Sequence, residues 1–259
     1  MYVNHQTKTI FITGAASGIG AASARKFAAA GWQVGLADIN ADAMYALQKE
    51  LGEQAQVFSL DICDANSAAI ALQAFCAPHE GKLGVLFNCA GLLEIGAFTE
   101  QDLARKKLLC EVNNSGMLTM THAAFPYLKA CQGAMVINMS SASASHGVPD
   151  FAVYSATKFW VRGFTEALNI EWRKHQIHVG DIMPPFVNTP MLQNAQHAKI
   201  IDRLGVDLKA DDVADAVWQM VQKPVLHKAV SLKFKLLNAL SQITPVRINH
   251  LVMRLLAGY

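Results

Sequence analysis

Charge is scarce in this chain. Of its 259 residues, 16% are Asp, Glu, Lys or Arg, against 52% hydrophobic, enough apolar material for one sizeable core. Cysteine is also sparse: five residues, an odd number with no C-x-x-C spacing, which reads as free thiols in a reducing compartment rather than a disulfide framework. No run of about 20 apolar residues is present to span a membrane. The first seven residues (MYVNHQT) are polar, so no secretory signal is read there and a cytoplasmic protein is expected. His175 and His178 lie three apart without an accompanying carboxylate or cysteine cluster, so no metal site is expected. Linkers, repeats and low-complexity segments are missing too, and no nucleic-acid partner is expected. The last absence is local. After Asp215 there is no acidic residue, and Lys223, Lys228, Lys233, Lys235, Arg247 and Arg254 give that end +6 within a net charge of +2.

Strand-like runs alternate with helical ones throughout, which argues a parallel sheet covered on both faces. Lys8 to Thr13 (KTIFIT) reads as a short buried strand, followed by the turn Gly14 to Gly20 (GAASGIG) and an alanine-rich helix over about Ala21–Ala30. Strand, glycine turn and helix cradle a phosphate: the backbone approaches a pyrophosphate closely, and the helix start offers N–H groups and a positive dipole end. The spacing is G-x-x-x-G-x-G rather than the commoner G-x-G-x-x-G. A second strand, Gln33 to Asp38, ends in an acid that can accept from both ribose hydroxyls and would repel a 2′-phosphate. No Arg or Lys in the glycine loop or directly after Asp38 would receive that phosphate, so NAD is favoured over NADP. The competing reading of Asp38 is a strand end or the N-cap of a helix from Ala41.

Tyr154 and Lys158 (YSATK) fall one helical turn apart on one face. A free phenol has a pKa of about 10. An ammonium beside it favours the phenolate, as would an oxidised nicotinamide. Lowering the value by roughly 3 units takes about 4 kcal/mol of differential stabilisation.

Together these motifs resemble the short-chain dehydrogenase/reductase family in its compact form of about 250 residues, over Lys8 to Leu192. Five motifs fall in order: the glycine turn; Asp61-Ile62 after a strand; Asn88-Cys89-Ala90-Gly91; Val112-Asn113 in a long helix, where the Asn kinks it; and Ser141 at a strand end, thirteen positions before Tyr154. The resemblance implies a Rossmann-like doubly wound α/β sheet as a single domain over 1–259. Its cofactor half spans about 1–130, its catalytic and substrate half about 131–222, and a basic amphipathic tail about 223–259. It implies a catalytic tetrad of Asn113, Ser141, Tyr154 and Lys158. Tyr154 exchanges the proton, and Lys158 lowers its pKa and holds the nicotinamide ribose. Ser141 orients the substrate oxygen, and Asn113 holds a water linking Lys158 to solvent. Cofactor contacts are assigned to Gly14, Ser17, Gly18, Ile19, Gly20, Asp38, Asp61, Ile62, Asn88, Ala90, Gly91, Val112, Pro184, Val187 and Thr189, with Tyr154 and Lys158. Two positions depart from the family pattern: Cys89 replaces a second Asn, and Pro185 stands where Gly is usual, fixing φ and removing an N–H.

Around the reacting centre, Ser141, Ser143, His146, Val148, Phe151, Phe186, Met191 and Leu192 are expected to face substrate, a mostly apolar set that suits a hydrophobic secondary alcohol or its ketone. A homodimer or homotetramer is expected from the resemblance, through helices around Asp102–Ala130 and Tyr154–His175. At the C-terminus, Ser231–Leu240 and Val246–Leu256 read as two amphipathic helices broken at Thr244-Pro245. They are read as a lid, a subunit contact or a peripheral membrane contact. Two other functions stay open: a non-catalytic NAD(H)-binding regulatory protein, and an NADPH-type ketoacyl reductase, which Asp38 opposes.

Overall fold

The strand expected over Lys8 to Thr13 forms at Thr9–Thr13 (β1), five buried residues in the interior of the sheet. The computed structural model describes residues 7–193, 195 and 198–259, with the side chain of residue 242 excepted; residues 1–6, on which the absence of a leader was read, lie outside the described residues. From β1 the chain runs through α1 (Gly18–Ala29), β2 (Gln33–Asp38), α2 (Ala41–Leu51), β3 (Ala55–Ser59), α3 (Ala65–Cys76) and β4 (Val85–Asn88). Next come α4 (Leu103–Cys110), a π turn (Glu111–Gly116), α5 (Met117–Lys129), β5 (Met135–Met139), α6 (Ala152–Glu171) and β6 (His178–Met183). The remainder is β7 (Val187–Asn188), α7 (Pro190–Gln193), α8 (Lys199–Leu204), β8 (Leu208–Lys209), α9 (Ala210–Gln222), β9 (His227–Ala229), α10 (Leu232–Ile243) and α11 (Val246–Ala257).

Seven strands pair in the order β3-β2-β1-β4-β5-β6-β9, all parallel, while β7 and β8 form a separate parallel pair. Helices cover both faces, so the strands are apolar on both sides and read as continuous rather than alternating runs. On one face Phe27 stacks edge-on against Trp32 and Trp218, each at 5.1 Å, locking α1 to α9. On the other, Phe11 and Phe75 meet at 5.4 Å within a cluster that includes Leu72, Met120 and Leu128. The chain order reverses between β1 and β4, which opens a crevice at their carboxyl ends.

Two boundaries differ from the sequence reading. Helix α1 starts at Gly18 rather than near Ala21, because its first turn is built from the glycine motif itself. Residues 227–229, assigned above to the amphipathic tail, belong to the sheet: β9 pairs with β6 through Asp181↔His227 and Met183↔Ala229. A three-residue polar edge strand (HKA) has no apolar alternation by which to be seen. The two tail helices fall where expected, with Pro245 between them. The N-cap of α2 is Asn40, whose side chain accepts from the Ala43 amide at 3.1 Å, so Asp38 is free of that task.

Candidate active site

A cleft of about 1020 Å³ runs across the carboxyl ends of the central strands. Its floor is the glycine turn. Gly14 adopts φ +70°, and a Cβ there would lie 2.7 Å from the Cα of Ala90. A Cβ on Gly20 would collide with the Gly14 carbonyl oxygen. Thr13 ties the same corner together, its Oγ1 accepting from the amides of Cys89 (3.0 Å) and Ala90 (3.1 Å). At the end of β2 the Asp38 carboxylate accepts from the Ala16 amide at 3.1 Å and the Asn40 amide at 3.0 Å. Its carboxylate is thereby held at the rim of the cleft beside the start of α1. A Cβ-free backbone over a helix start, with a carboxylate one strand away, fits a dinucleotide.

The reacting end lies between β5 and α6. Ser141 lies two residues beyond β5; its Oγ accepts from the Ser143 amide at 3.1 Å and stands near enough to the Tyr154 hydroxyl to lower its pKa. Lys158 Nζ donates to the Met139 carbonyl at 2.8 Å and sits 5.4 Å from the Tyr154 ring centroid. Burial governs both titrations. It pushes the phenol of Tyr154 up to about 12, with the Ser141 hydrogen bond pulling the other way. Lys158 is lowered to about 8, against the pull of Cys89 and Asp181. Burial is the larger cause at Tyr154, and the Ser141 hydroxyl is what opposes it among the chain's own groups.

Asn113 falls in the π turn between α4 and α5, a break of the kind expected there. Its Oδ1 accepts from the Leu92 amide at 2.7 Å, and its Nδ2 donates to the Leu92 carbonyl at 3.0 Å and to Thr157 Oγ1 at 3.2 Å. The carboxamide is thus a clamp on the strand-to-helix loop after β4. A Cβ on Gly91 would come within 3.2 Å of it and 4.0 Å of Lys158 Nζ, so Gly91 is the spacer that lets Asn113 stand behind the lysine.

The family model for short chain dehydrogenases matches residues 8–200. The chain is a short-chain dehydrogenase. It is 32% identical over 187 residues to the D-threitol dehydrogenase of Mycolicibacterium smegmatis, covering 71% of this chain and 72% of that one. It is 33% identical over 194 residues to a 2,5-dichloro-2,5-cyclohexadiene-1,4-diol dehydrogenase of Sphingobium indicum, covering 72% and 76%. Among solved structures, it superposes on the 3-ketoacyl-(acyl-carrier-protein) reductase of Brucella melitensis complexed with NADH with a TM-score of 0.79, at 28% identity, covering 86% of this chain and 96% of that one. A short chain dehydrogenase/reductase of Burkholderia phymatum in complex with NAD gives 0.82 at 23% identity, covering 92% and 94%. This short-chain dehydrogenase is accordingly an oxidoreductase acting on CH–OH groups with a nicotinamide cofactor.

The dehydrogenase cleft gathers nearly every residue that the sequence singled out. Gly14, Ser17, Gly18, Ile19, Gly20, Asp38, Asp61, Ile62, Ala90, Gly91, Val112, Pro184, Val187 and Thr189 line it, with Ser141, Tyr154 and Lys158. So do Ser143, His146, Val148, Phe151, Phe186, Met191 and Leu192. Asn88 does not. It is buried, and its Nδ2 donates to Thr121 Oγ1 and Asn138 Oδ1, both at 2.9 Å, so it braces β4 against α5 and β5 instead of reaching the cleft. Pro185 lines the wall beside Pro184, whose carbonyl accepts from the Ala142 amide at 2.9 Å. The far wall adds Arg105 and Leu108 from α4, which sequence reasoning missed, and Phe234, Leu237, Asn238, Ile248 and Met253 from α10 and α11, helices for which a lid was one of the expected roles. The amphipathic pattern announced those helices, but no local signal said which element they would cover.

Proposed function

We propose that this dehydrogenase interconverts an apolar secondary alcohol and its ketone with NAD as the preferred cofactor. The observation that carries the reading is the convergence of Ser141, Tyr154 and Lys158 at one end of a cleft walled by Phe151, Phe186, Met191 and Leu192. A bound nicotinamide supplies the hydride acceptor in oxidation and the donor in reduction. In oxidation Tyr154 takes the hydroxyl proton as phenolate, a form that burial opposes and that Lys158 and an oxidised nicotinamide beside it would favour; in reduction the phenol donates one. Ser141 Oγ accepts from the Ser143 amide, which fixes the oxygen and leaves its one hydroxyl hydrogen to donate to the substrate oxygen. Lys158, buried and lowered to about 8, neighbours the phenol as a group able to take and release protons near neutrality. The Asn113 carboxamide is occupied by Leu92 and Thr157, so its side chain positions the loop behind Lys158, and the relay water assigned to Asn113 rests on the family resemblance. Asp38, with no cation beside it on β2 or in the glycine turn, favours a free ribose over a 2′-phosphate.

The partners proposed with this reading are a small apolar carbonyl or alcohol, further copies of the chain, and a lipid surface at the C-terminal helices. Leu118 on α5 and Phe159 and Trp160 on α6 are exposed, apolar area that a second copy would cover in a dimer or tetramer.

Tyr154→Phe tests the chemistry. NADH affinity by fluorescence titration is expected to stay within about threefold, while turnover of an apolar ketone falls about a thousandfold. Turnover near the wild-type rate would remove Tyr154 from the mechanism. Tight NADH binding by the wild type with no turnover on a panel of apolar ketones would instead mark a regulatory NAD(H)-binding protein. A preference for NADPH in kcat/KM would overturn the assignment to Asp38.

A further inference from the structure

The C-terminal helices present two unlike faces. Inward, Phe234 and Asn238 of α10 and Met253 and Leu256 of α11 wall the cleft opposite Tyr154. Polar ties hold the pair over it: Ser145 Oγ donates to Asn238 Oδ1 at 2.6 Å, the Tyr259 hydroxyl donates to Asp150 at 2.7 Å, and Arg203 donates to the Leu255 carbonyl. Outward, Leu232 and Ile243 are 83% and 82% exposed, and Leu236, Val246, Leu251 and Leu255 are also exposed. Side chains this apolar, adjacent on two consecutive helices, are not left to water without a partner.

Charge decides which partner. The segment after Asp215 carries six cations and no acid, and Lys235, Arg247 and Arg254 lie on these same exposed helices. Two copies of such a face would bring like charges together, whereas an anionic bilayer neutralises them as it takes up the leucines. Leu237, Leu240, Ile248 and Val252 are half-exposed and also line the cleft, so its mouth opens on this same surface.

We propose that α10 and α11 dock the enzyme on an anionic lipid bilayer, and that apolar substrate enters the cleft from the lipid between them. The substrate route rests on the proposed function; docking does not, because it is measured without substrate or turnover.

The test uses the full chain and vesicles of phosphatidylcholine alone or with about a third phosphatidylglycerol, in a co-sedimentation assay. Binding is expected to the anionic vesicles, much less to the neutral ones, and to weaken with salt. Leu232→Asp with Ile243→Asp changes two residues outside the cleft lining. This double variant is expected to bind about tenfold more weakly, with its circular dichroism and its turnover of a water-soluble alcohol unchanged. On a long-chain ketone dissolved in the vesicles its rate should fall in proportion. Absence of binding to either vesicle, or equal binding by the variant, overturns the docking. A wild-type dimer that the same substitutions split, without lipid binding, gives the face to a second copy. Lipid binding with an unchanged rate on vesicle-borne ketone keeps the docking and overturns the route.

Discussion

The two ends of the chain meet at one cleft but are built on opposite terms. Around Gly14, Gly20 and Ala90 the main chain lies directly against main chain, with no room for a methyl group. Around α10 and α11 contact is made by the tips of a few side chains and by polar ties, and most of the leucines face outward. The nucleotide end gains precision from this and tolerates no change in volume. The C-terminal wall is held more lightly, by these ties and by the packing of Met253, Leu256 and Ala257. Main-chain packing at one end and side-chain contact at the other divide the labour of one site.

The contrast breaks most visibly at Gly20. Gly20→Val would drive a side chain into the Gly14 carbonyl and lever α1 off the turn. Overpacking of this kind costs about 1–3 kcal/mol, so the melting temperature should drop by several degrees. NADH affinity by calorimetry should fall more than about a hundredfold, roughly 3 kcal/mol, because the backbone that would cradle the phosphates is displaced. Wild-type affinity would show that the dinucleotide does not rest on this turn.

The matching change at the other end is Phe234→Ala. It removes an aromatic face from the far wall without touching the glycine turn or the Ser141–Tyr154 pair. KM for an apolar ketone should rise about tenfold with kcat and NADH affinity little changed, the pattern of lost uniform binding. A fall in kcat instead would mean that α10 positions the reacting groups and is not merely a wall.

That division also explains what the sequence let one read. The nucleotide end was legible because its geometry is local: a glycine turn between a buried strand and a helix has few solutions, and Asp38 follows at the next strand end. The tetrad was legible through spacing, since thirteen residues separate Ser141 from Tyr154 and one turn separates Tyr154 from Lys158. Asn88 misled because a strand-end Asn in a cofactor motif looks the same whether it points to the cleft or, as here, towards Thr121 and Asn138. The burial that raises the Tyr154 phenol could not be read either, because it is a property of the folded cleft and not of the Tyr–Lys spacing. The far wall was half legible for the converse reason: α10 and α11 were seen as amphipathic and a lid was among their readings, but which surface they cover is decided by contacts with Ser145, Asp150 and Arg203, which lie 52 to 109 residues earlier in the chain.

Weaker effects test how firmly the wall is held. Ser145→Ala with Tyr259→Phe removes two ties between the C-terminal segment and the body. Each such bond contributes about 1 kcal/mol or less, so global melting should hardly move. Limited proteolysis should nevertheless cut between α9 and α11 several times faster, since only the local opening equilibrium has shifted. Equal cleavage rates would mean that Met253 and Leu256, not the ties, hold the helices down.

The smallest effect concerns the seam where β9 joins the C-terminal segment to the sheet. His227 bridges the buried Asp181 (Nδ1 to Oδ2, 3.0 Å) and Glu166 (Nε2 to Oε1, 3.0 Å), and Arg162 pairs with the same Glu166 oxygen. Burial alone would lower the imidazole, but the two carboxylates outweigh it and its pKa is raised above 6.5. A raised folded value means that the native state holds the proton more tightly than the unfolded chain does. The stability it contributes is therefore complete below about 6.5 and is lost as pH rises through the folded value. Asp181, raised by burial against the pull of His227, acts in the same sense from its lower starting value. The histidines at 79, 146, 175 and 178 are all lowered, so their contributions run the other way and are finished by about 6.5. His227→Gln keeps a polar side chain between the two carboxylates and removes the charge. The stability gap between wild type and variant in urea should be widest near about pH 6 and narrow by about pH 8.5. A gap that stays constant with pH would show that His227 works there as a hydrogen-bonded spacer and carries no proton of consequence to the seam.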